Sequence, residues 1–423
     1  MTHSSHDSDP DLLFACYASY NARFLQAMAN LPALKPWLEP DRAAIREQVR
    51  TCLGIEDRLY PVVSGVKGRT VRKPGYTVEL LQAESWPGVR CCANLYKPSA
   101  PAGAPIPLVV LCCGHGAGGK LNPGYQAMAA RLARQGAAVL VPDNIGQGER
   151  VAMGHHHPVT PFACGLTIQG LIVMETIAWL RWAKALPDID NTRLAAIGNS
   201  GGGTLTLFLA ALCPELAVLS SSGYPSTFEW IARKEKKHCH CNLLPGIVGK
   251  LEMWQILSVF APRPLFIFQG SEDHLFPEDL FYMVARQVGF AYAKAGAPDR
   301  FRFASIPGPH PWFNAKRYQL ASFLAETLGL DPAEELSDDV LETLGPEETC
   351  YPIWPSDALT VDELAVRLSG RHPAPGLSLW DVYPPKCPLP DLPCPGLRGD
   401  HRQVFAQYEA FLGQSGDEPE PAF

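Results

Sequence analysis

The chain has 423 residues, 47% of them hydrophobic, which is enough for one large domain or two ordinary ones with a sizeable core. A formal net charge of −7 without a long basic stripe argues against nucleic-acid binding. Thirteen cysteines in so long a chain favour buried thiols over a disulfide framework.

The N-terminal run "MTHSSHDSDPDLL" is polar and acidic, unlike a signal peptide. The most hydrophobic helical stretch, residues 167–186, contains Gln169, Glu175, Arg181 and Lys184, unlike a transmembrane span. We therefore expect a cytoplasmic protein that binds neither membranes nor nucleic acid.

The first predicted elements are helices over residues 11–54, closed by Gly54, and a β-hairpin over 75–98 around "SWPG". From residue 107, short apolar strands alternate with helices, which is typical of a mostly parallel sheet covered on both faces. The predicted strands are 107–113, 137–143, 193–198, 216–222, 263–273 and 300–308, and the predicted helices are 125–136, 167–186, 202–212, 280–296 and 314–329.

This pattern predicts three regions. Residues 1–100 form N-terminal helices and a hairpin packed on the core, 101–330 form the main α/β domain, and 331–423 form an acidic, proline-rich C-terminal extension. Within the main domain, residues 223–260 are long for a connection, so we expect them to form a cap over the site, called here the cap segment. A short helix, "DHRQVFAQYEAFLG", is expected within the extension.

A possible nucleophile lies in "GNSGG", residues 198–202, between a predicted strand and an apolar helix. This is the G-x-S-x-G pattern of a nucleophile elbow, in which glycines leave room for a sharp turn that exposes the Ser200 hydroxyl. The helix N-terminus and the Gly201 amide would stabilise an oxyanion there. The sequence therefore predicts Ser200 as a nucleophile.

A base and an acid are expected after the serine in the order Ser, Asp or Glu, then His. Asp273 follows a predicted strand in "FIFQGSEDHLFP", and the adjacent Glu272 is the alternative acid. His310 lies after the last predicted strand, in "FRFASIPGPHPWF". Ser200, Asp273 and His310 thus form a candidate catalytic triad.

The glycine-rich loop "LCCGHGAGGK" follows the first strong strand and could supply further oxyanion donors. The candidate donors are the backbone amides of Gly116 and Ala117, alongside Gly201. The loop has neither the phosphate-binding spacing nor a helix directly after its glycines, so no nucleotide cofactor is expected. The candidate substrate-binding side chains are His115, Tyr224, Trp230 and Trp254.

These motifs, with the hairpin 75–98, "PDNIGQGER" and "APRPLFIFQGSEDHLFP", resemble those of α/β-hydrolases of the acetyl-xylan-esterase-like and dienelactone-hydrolase-like group, over about residues 40–330. The resemblance implies an α/β-hydrolase fold and a serine hydrolase with Ser200, Asp273 and His310 as its triad. Dienelactone hydrolases carry cysteine at the elbow, so the serine here favours ester hydrolysis. The expected substrates are small or medium acyl esters, cleaved through an acyl-enzyme.

Two further readings stay open: a peptidase or amidase with the same triad, and a catalytically silent hydrolase fold used for binding. A homodimer is compatible with the extension. Two histidine-rich runs, "HHHP" at 155–158 and "HCHCN" at 238–242, contain residue types that bind metals. Neither has the paired spacing of a common zinc site, so no metal and no cofactor are expected, although binding at 238–241 stays open.

Overall fold

The computed structural model describes residues 28, 41–99, 103–116, 118–233, 239–335 and 342–384. It contains nine strands in one sheet. The strands are β1 (Ser64–Lys73), β2 (Tyr76–Glu84), β3 (Arg90–Pro98), β4 (Ile106–Cys112), β5 (Ala138–Pro142), β6 (Ile189–Asn199), β7 (Val218–Ser222), β8 (Leu265–Gly270) and β9 (Phe301–Ile306).

Helices lie between and after these strands. In chain order they are α1 (Arg42–Leu53), α2 (Pro123–Arg134), α3 (Thr160–Ala163), α4 (Ile168–Ala183), α5 (Gly201–Leu212), α6 (Phe228–Arg233), α7 (Met253–Ser258), α8 (Glu278–Lys294), α9 (Asn314–Leu328), α10 (Val361–Ser369) and α11 (Leu379–Val382). The alternation expected from residue 107 onward is confirmed.

The strand order in the sheet is β1-β2-β3-β5-β4-β6-β7-β8-β9. Strands β1, β2, β3 and β5 pair antiparallel, whereas β5, β4, β6, β7, β8 and β9 run parallel. The predicted hairpin is therefore present as β2 and β3, and it extends the parallel sheet. Parallel strands place their carboxyl ends at one edge, where the loops that follow them can assemble a site.

Alternate residues of the central strands enter two separate cores. In β4, Leu108 and Val110 pack with α1, α4 and α5, and Val109 and Leu111 pack with α2 and α9 on the other face. Strand β4 is buried along its whole length. Burial on both faces explains why the sequence shows continuous apolar runs here instead of alternation.

The N-terminal edge contains an element that the sequence analysis missed. Strand β1 reads "SGVKGRTVRK", and none of its residues is fully buried. An edge strand with a solvent-exposed face carries little hydrophobic pattern, so its polar sequence gave no signal. Of the predicted N-terminal helices, α1 is present and ends at Gly54, which has a left-handed φ of 66°. The rest of residues 11–40 lies outside the described residues, apart from Met28.

The described part of the C-terminal extension packs on the α/β core. The Glu149 carboxylate, which follows β5, accepts hydrogen bonds from the amides of Cys350 at 2.9 Å and Tyr351 at 2.7 Å. The Arg367 guanidinium donates to the Pro87 carbonyl at the β2–β3 turn, at 2.5 Å. The short helix expected at 400–413 lies outside the described residues. No described helix has the length and apolar character that crossing a membrane requires.

Candidate active site

Ser200 occupies a sharp turn between β6 and α5. Its φ of 57° and ψ of −121° are unusual, and it is the one non-glycine residue with a positive φ in the described part of the chain. Its amide donates to the Ser222 carbonyl at the end of β7, at 3.0 Å. Strain of this kind persists only where the surroundings hold it, and it is found preferentially at functional sites.

The glycines on either side of Ser200 are required by close backbone contacts. A Cβ on Gly198 would lie 2.3 Å from the Gly202 carbonyl oxygen, and a Cβ on Gly202 would lie 1.9 Å from the Cys112 carbonyl oxygen. No side chain fits at such distances. The G-x-S-x-G pattern therefore follows from the way β6, α5 and the end of β4 pack together.

His310 and Asp273 meet at the same edge of the sheet. The His310 Nδ1 lies 2.7 Å from Asp273 Oδ2, and Asp273 Oδ1 accepts the amide of Leu275 at 2.9 Å. Burial raises the pKa of the Asp273 carboxyl, but the hydrogen bond and the charge of His310 outweigh it and hold that pKa below its ordinary value. Glu272 is exposed, so of the two candidate acids it is Asp273 that contacts the histidine.

The other ring nitrogen of His310, Nε2, is buried and has no hydrogen-bond partner among the described residues. The ring lies beside the strand ends that flank Ser200. Asn199, which precedes the serine, donates from Nδ2 to the His310 carbonyl at 3.4 Å, and a Cβ on Gly223 would lie 2.9 Å from His310 Cε1. The structure therefore brings Ser200, His310 and Asp273 to one edge of the sheet.

Residues that the sequence analysis did not single out hold the His310 loop. The buried Lys316 ammonium donates to the carbonyls of Pro309, His310 and Pro311, the last two at 3.1 and 3.3 Å. Burial lowers the pKa of Lys316 to about 8. Phe276 stacks on the His310 ring with centroids 5.6 Å apart. A lysine in a helix ordinarily faces solvent, so this role could not be read from the sequence.

The glycine-rich loop passes directly over Ser200. The Gly114 amide donates to the Tyr125 hydroxyl at 2.8 Å, and a Cβ on Gly114 would lie 3.1 Å from Ser200 Cβ. The His115 ring covers Gly201, because a Cβ there would lie 2.7 Å from His115 Nδ1. Gly116 is half-buried in the same loop, and Ala117 lies outside the described residues.

The predicted substrate-binding side chains of the cap segment differ in how deeply they are buried. Tyr224 is buried, and its ring packs 5.7 Å from Phe276, so it supports the site from beneath instead of forming an open wall. Trp230 is half-buried and donates from Nε1 to the Leu275 carbonyl at 3.0 Å. Trp254 is also half-buried. Thus Trp230 connects the cap segment to the loop that carries Asp273.

His115 has a different set of neighbours from the one expected of a substrate contact. Its Nε2 lies 3.1 Å from His155 Nε2 and 3.1 Å from Cys241 Sγ. With Cys239, these residues form a group whose four ligand atoms all lie within 4.8 Å of one another. We call this group the His/Cys cluster. The sequence analysis expected no metal because neither histidine-rich run has the paired spacing of a common zinc site. The structure shows that partners for Cys239 and Cys241 come from two other loops, through His115 and His155.

The sequence and the structure of the chain both resemble those of known proteins. The sequence model of the acetyl xylan esterase family matches residues 76–240. YtaP of Bacillus subtilis (strain 168), a protein named as a hydrolase, is 22% identical over 200 residues, covering 47% of this chain and 67% of YtaP.

Among solved structures, the methylesterase BT1017 superposes with a TM-score of 0.64 at 23% identity, covering 82% of this chain and 78% of that one. A glucuronoyl esterase from Solibacter usitatus superposes with a TM-score of 0.53 at 13% identity, covering 72% of this chain and 96% of that one. At these identities the likeness shows the fold.

The chain therefore has the α/β-hydrolase fold, as the motifs indicated. The family match classes it as a carboxylic-ester hydrolase, and its resemblance to acetyl xylan esterases is confirmed over residues 76–240.

Proposed function

We propose that the chain cleaves small or medium acyl esters through an acyl-enzyme on Ser200, with His310 as general base and Asp273 as the residue that orients it. The observation that carries the proposal is the pair His310–Asp273, 2.7 Å apart, whose outer nitrogen Nε2 has no hydrogen-bond partner among the described residues and lies beside the strained Ser200 turn. An imidazole held on one side by a buried carboxylate is suited to move a proton on the other.

In the proposed reaction, His310 Nε2 accepts the Ser200 hydroxyl proton as the serine oxygen attacks the ester carbonyl. The amides of Gly201 and of Gly116 or Ala117 stabilise the oxyanion that forms. The imidazolium then protonates the leaving alcohol, and the ester bond breaks to give the acyl-enzyme. Water attacks this acyl group with His310 again as base, which releases the acid and restores Ser200.

The substrates we propose are acetyl and similarly short acyl esters of carbohydrates. The name of the matching family, acetyl xylan esterase, supports a short acyl group on a carbohydrate. The methylesterase and the glucuronoyl esterase support ester cleavage in general, because their names refer to other ester groups. The space around Ser200 supports a short acyl group, since the His115 ring covers Gly201 and Phe276 stacks on His310.

The proposal includes a cytoplasmic location and a homodimer. The ten described cysteines are all buried thiols outside any disulfide, as is usual in a reducing compartment. Cell fractionation tests the location, and sedimentation velocity tests the dimer.

The test is hydrolysis of p-nitrophenyl acetate, butyrate and octanoate by the wild type and by Ser200→Ala. We expect turnover that falls with chain length in the wild type and a loss of about ten-thousand-fold or more in the variant. Equal activity of both proteins would contradict the proposal. Cleavage of an acyl anilide without cleavage of the esters would instead favour an amidase.

A further inference from the structure

The His/Cys cluster joins three segments that are distant in the sequence. His115 comes from the glycine-rich loop after β4, His155 from the loop between β5 and α3, and Cys239 and Cys241 from the cap segment. Three of the four are buried, and His115 is half-buried. Polar side chains brought together in the interior need partners that satisfy them, and here the four ligand atoms face one another.

The separations fit a tetrahedral zinc ion. Zinc binds nitrogen at about 2.0–2.1 Å and sulfur at about 2.3 Å, so the ligand atoms of such a site lie about 3.3–3.8 Å apart. In the cluster the two imidazole Nε2 atoms are 3.1 Å apart, His115 Nε2 and Cys241 Sγ are also 3.1 Å apart, and no pair exceeds 4.8 Å. Two nitrogens and two sulfurs are a donor set that zinc prefers.

His155 is oriented as a metal ligand would be. Its Nδ1 lies 2.8 Å from the Ile145 carbonyl oxygen, which can only accept, so Nδ1 carries the proton and the lone pair of Nε2 points into the cluster. The Gln147 Nε2 lies 2.9 Å from the same nitrogen and donates to it, so a metal ion would take the place of this hydrogen bond. The cap segment is fixed in the same place by the backbone, because the His240 amide donates to the His156 carbonyl at 2.8 Å. Cys239 and Cys241 are therefore positioned by bonds outside the cluster.

A second group of similar composition shows what a cluster with its own cation looks like. Cys92, Glu149 and Cys350 also lie within reach of one another. The buried Lys120 ammonium already lies among them, 3.5 Å from Cys92 Sγ and in an ion pair with Glu149. The His/Cys cluster differs in composition, because two of its four ligand atoms are imidazole nitrogens and it contains no carboxylate.

We propose that His115, His155, Cys239 and Cys241 bind one Zn²⁺ ion in a closed, structural site. Four protein ligands leave no open position for substrate, so the ion would crosslink the three segments and take no part in the chemistry. Because the His115 ring covers Gly201, the crosslink would hold the glycine-rich loop against the Ser200 turn. The site does not depend on the proposed hydrolase activity.

The test is elemental analysis of full-length protein purified with a thiol reductant and without chelators. Two matched pairs of variants accompany the wild type. Cys241→Ser is compared with Cys164→Ser, which changes a buried cysteine outside the cluster, and His155→Ala with His156→Ala, which changes the exposed neighbour. Ser200→Ala serves as a third control, because it separates the metal site from the reaction.

We expect about one zinc per chain in the wild type and in the three control variants, and less than about a tenth of that in Cys241→Ser and His155→Ala. A chelator should remove the zinc from the wild type and lower its melting temperature, and added Zn²⁺ should restore both. Replacement by Co²⁺ should give the visible bands of a tetrahedral site with thiolate ligands.

Zinc-free wild type that takes up no Zn²⁺ or Co²⁺ under reducing conditions would overturn the proposal. Equal zinc in the cluster variants and their controls would do the same. If a cluster variant does not fold, the chelator and Co²⁺ measurements on the wild type decide alone. A zinc site in Ser200→Ala with no esterase activity in the wild type would support the metal site while contradicting the proposed function.

Discussion

The carboxyl-edge loops and the cap segment are held in place by different interactions. Ser200 and His310 are fixed by the ends of parallel strands, through the Ser222 carbonyl and through Asn199. The cap segment pairs with no strand in its described part, and its helices α6 and α7 are six residues each. It is attached instead by side chains, such as the Trp230 indole on Leu275 and the cysteines of the His/Cys cluster, and by single backbone hydrogen bonds, such as that from the His240 amide to the His156 carbonyl.

Two buried histidines, one in the candidate triad and one in the His/Cys cluster, differ in the partners of their rings. His310 has a buried carboxylate on Nδ1 and an Nε2 that no described residue contacts by a hydrogen bond, which suits a group that accepts and returns a proton. His155 has a backbone carbonyl on Nδ1 and an Nε2 that faces the Gln147 amide, another imidazole and two sulfurs, which suits a group that stays in place as a ligand. The partners of the two ring nitrogens thus make the same residue type suited to two different roles.

The largest effect on activity is expected from changing the acid of the candidate triad. Asp273→Asn removes the carboxylate that orients His310, and we expect kcat for p-nitrophenyl acetate to fall about ten-thousand-fold with the fold intact. Glu272→Gln is the matched control next to it, and its activity should stay within about twofold because Glu272 is exposed. Steady-state kinetics and circular dichroism measure both. The reverse order of effects would assign the acid to Glu272.

The rigidity of the serine turn can be tested by adding one methyl group. Gly202→Ala places a Cβ 1.9 Å from the Cys112 carbonyl oxygen, and we expect the free energy of unfolding to fall by more than about 3 kcal/mol. Gly289→Ala in α8 is the control, because its Cβ would lie 3.8 Å from the Phe301 ring. There we expect no loss, or a gain of up to about 1 kcal/mol. Urea unfolding followed by circular dichroism measures the difference. Equal stability of the two variants would contradict the claim that the turn has no room for a Cβ at residue 202.

The smallest expected effect lies in the cap segment, at the residue before α7. Burial, with the nearby charge of Glu229, raises the pKa of Glu252 to about 7 from its ordinary value near 4.5. Because the folded state binds this proton more tightly, the stability that it contributes is present below pH 4.5 and is lost as the pH rises through 7.

Glu252→Gln removes the ionisation and keeps a side-chain acceptor at the start of α7. We expect the variant to be more stable than the wild type by about 1–3 kcal/mol at pH 8 and equally stable at pH 4. Chemical unfolding at the two pH values measures this. The control is Glu335→Gln, at an exposed residue, which should leave the free energy of unfolding unchanged at both pH values. A stability difference that does not depend on pH would show that ionisation of Glu252 is not its cause.

The sequence predicted those features that leave a local pattern. The buried strands appear as continuous apolar runs, and the Ser200 turn has its glycines because Gly198 and Gly202 approach backbone atoms too closely for any side chain. Strand β1 left no such pattern because it is an exposed edge. Lys316 was also missed, since the carbonyls that it contacts are brought to it only by folding. The two histidine-rich runs were noticed in the sequence, but their meeting with His115 was not predicted, because it depends on the folding of distant segments.

The most direct test of the serine site is labelling with a fluorophosphonate probe, followed by peptide mass spectrometry. Only a serine activated by a neighbouring base reacts rapidly with such a probe. We predict one adduct per wild-type chain, on Ser200, with none in Ser200→Ala and much slower labelling in His310→Ala. A folded wild type that hydrolyses esters but carries its adduct on another serine, or carries none, would contradict the assignment of Ser200 as nucleophile.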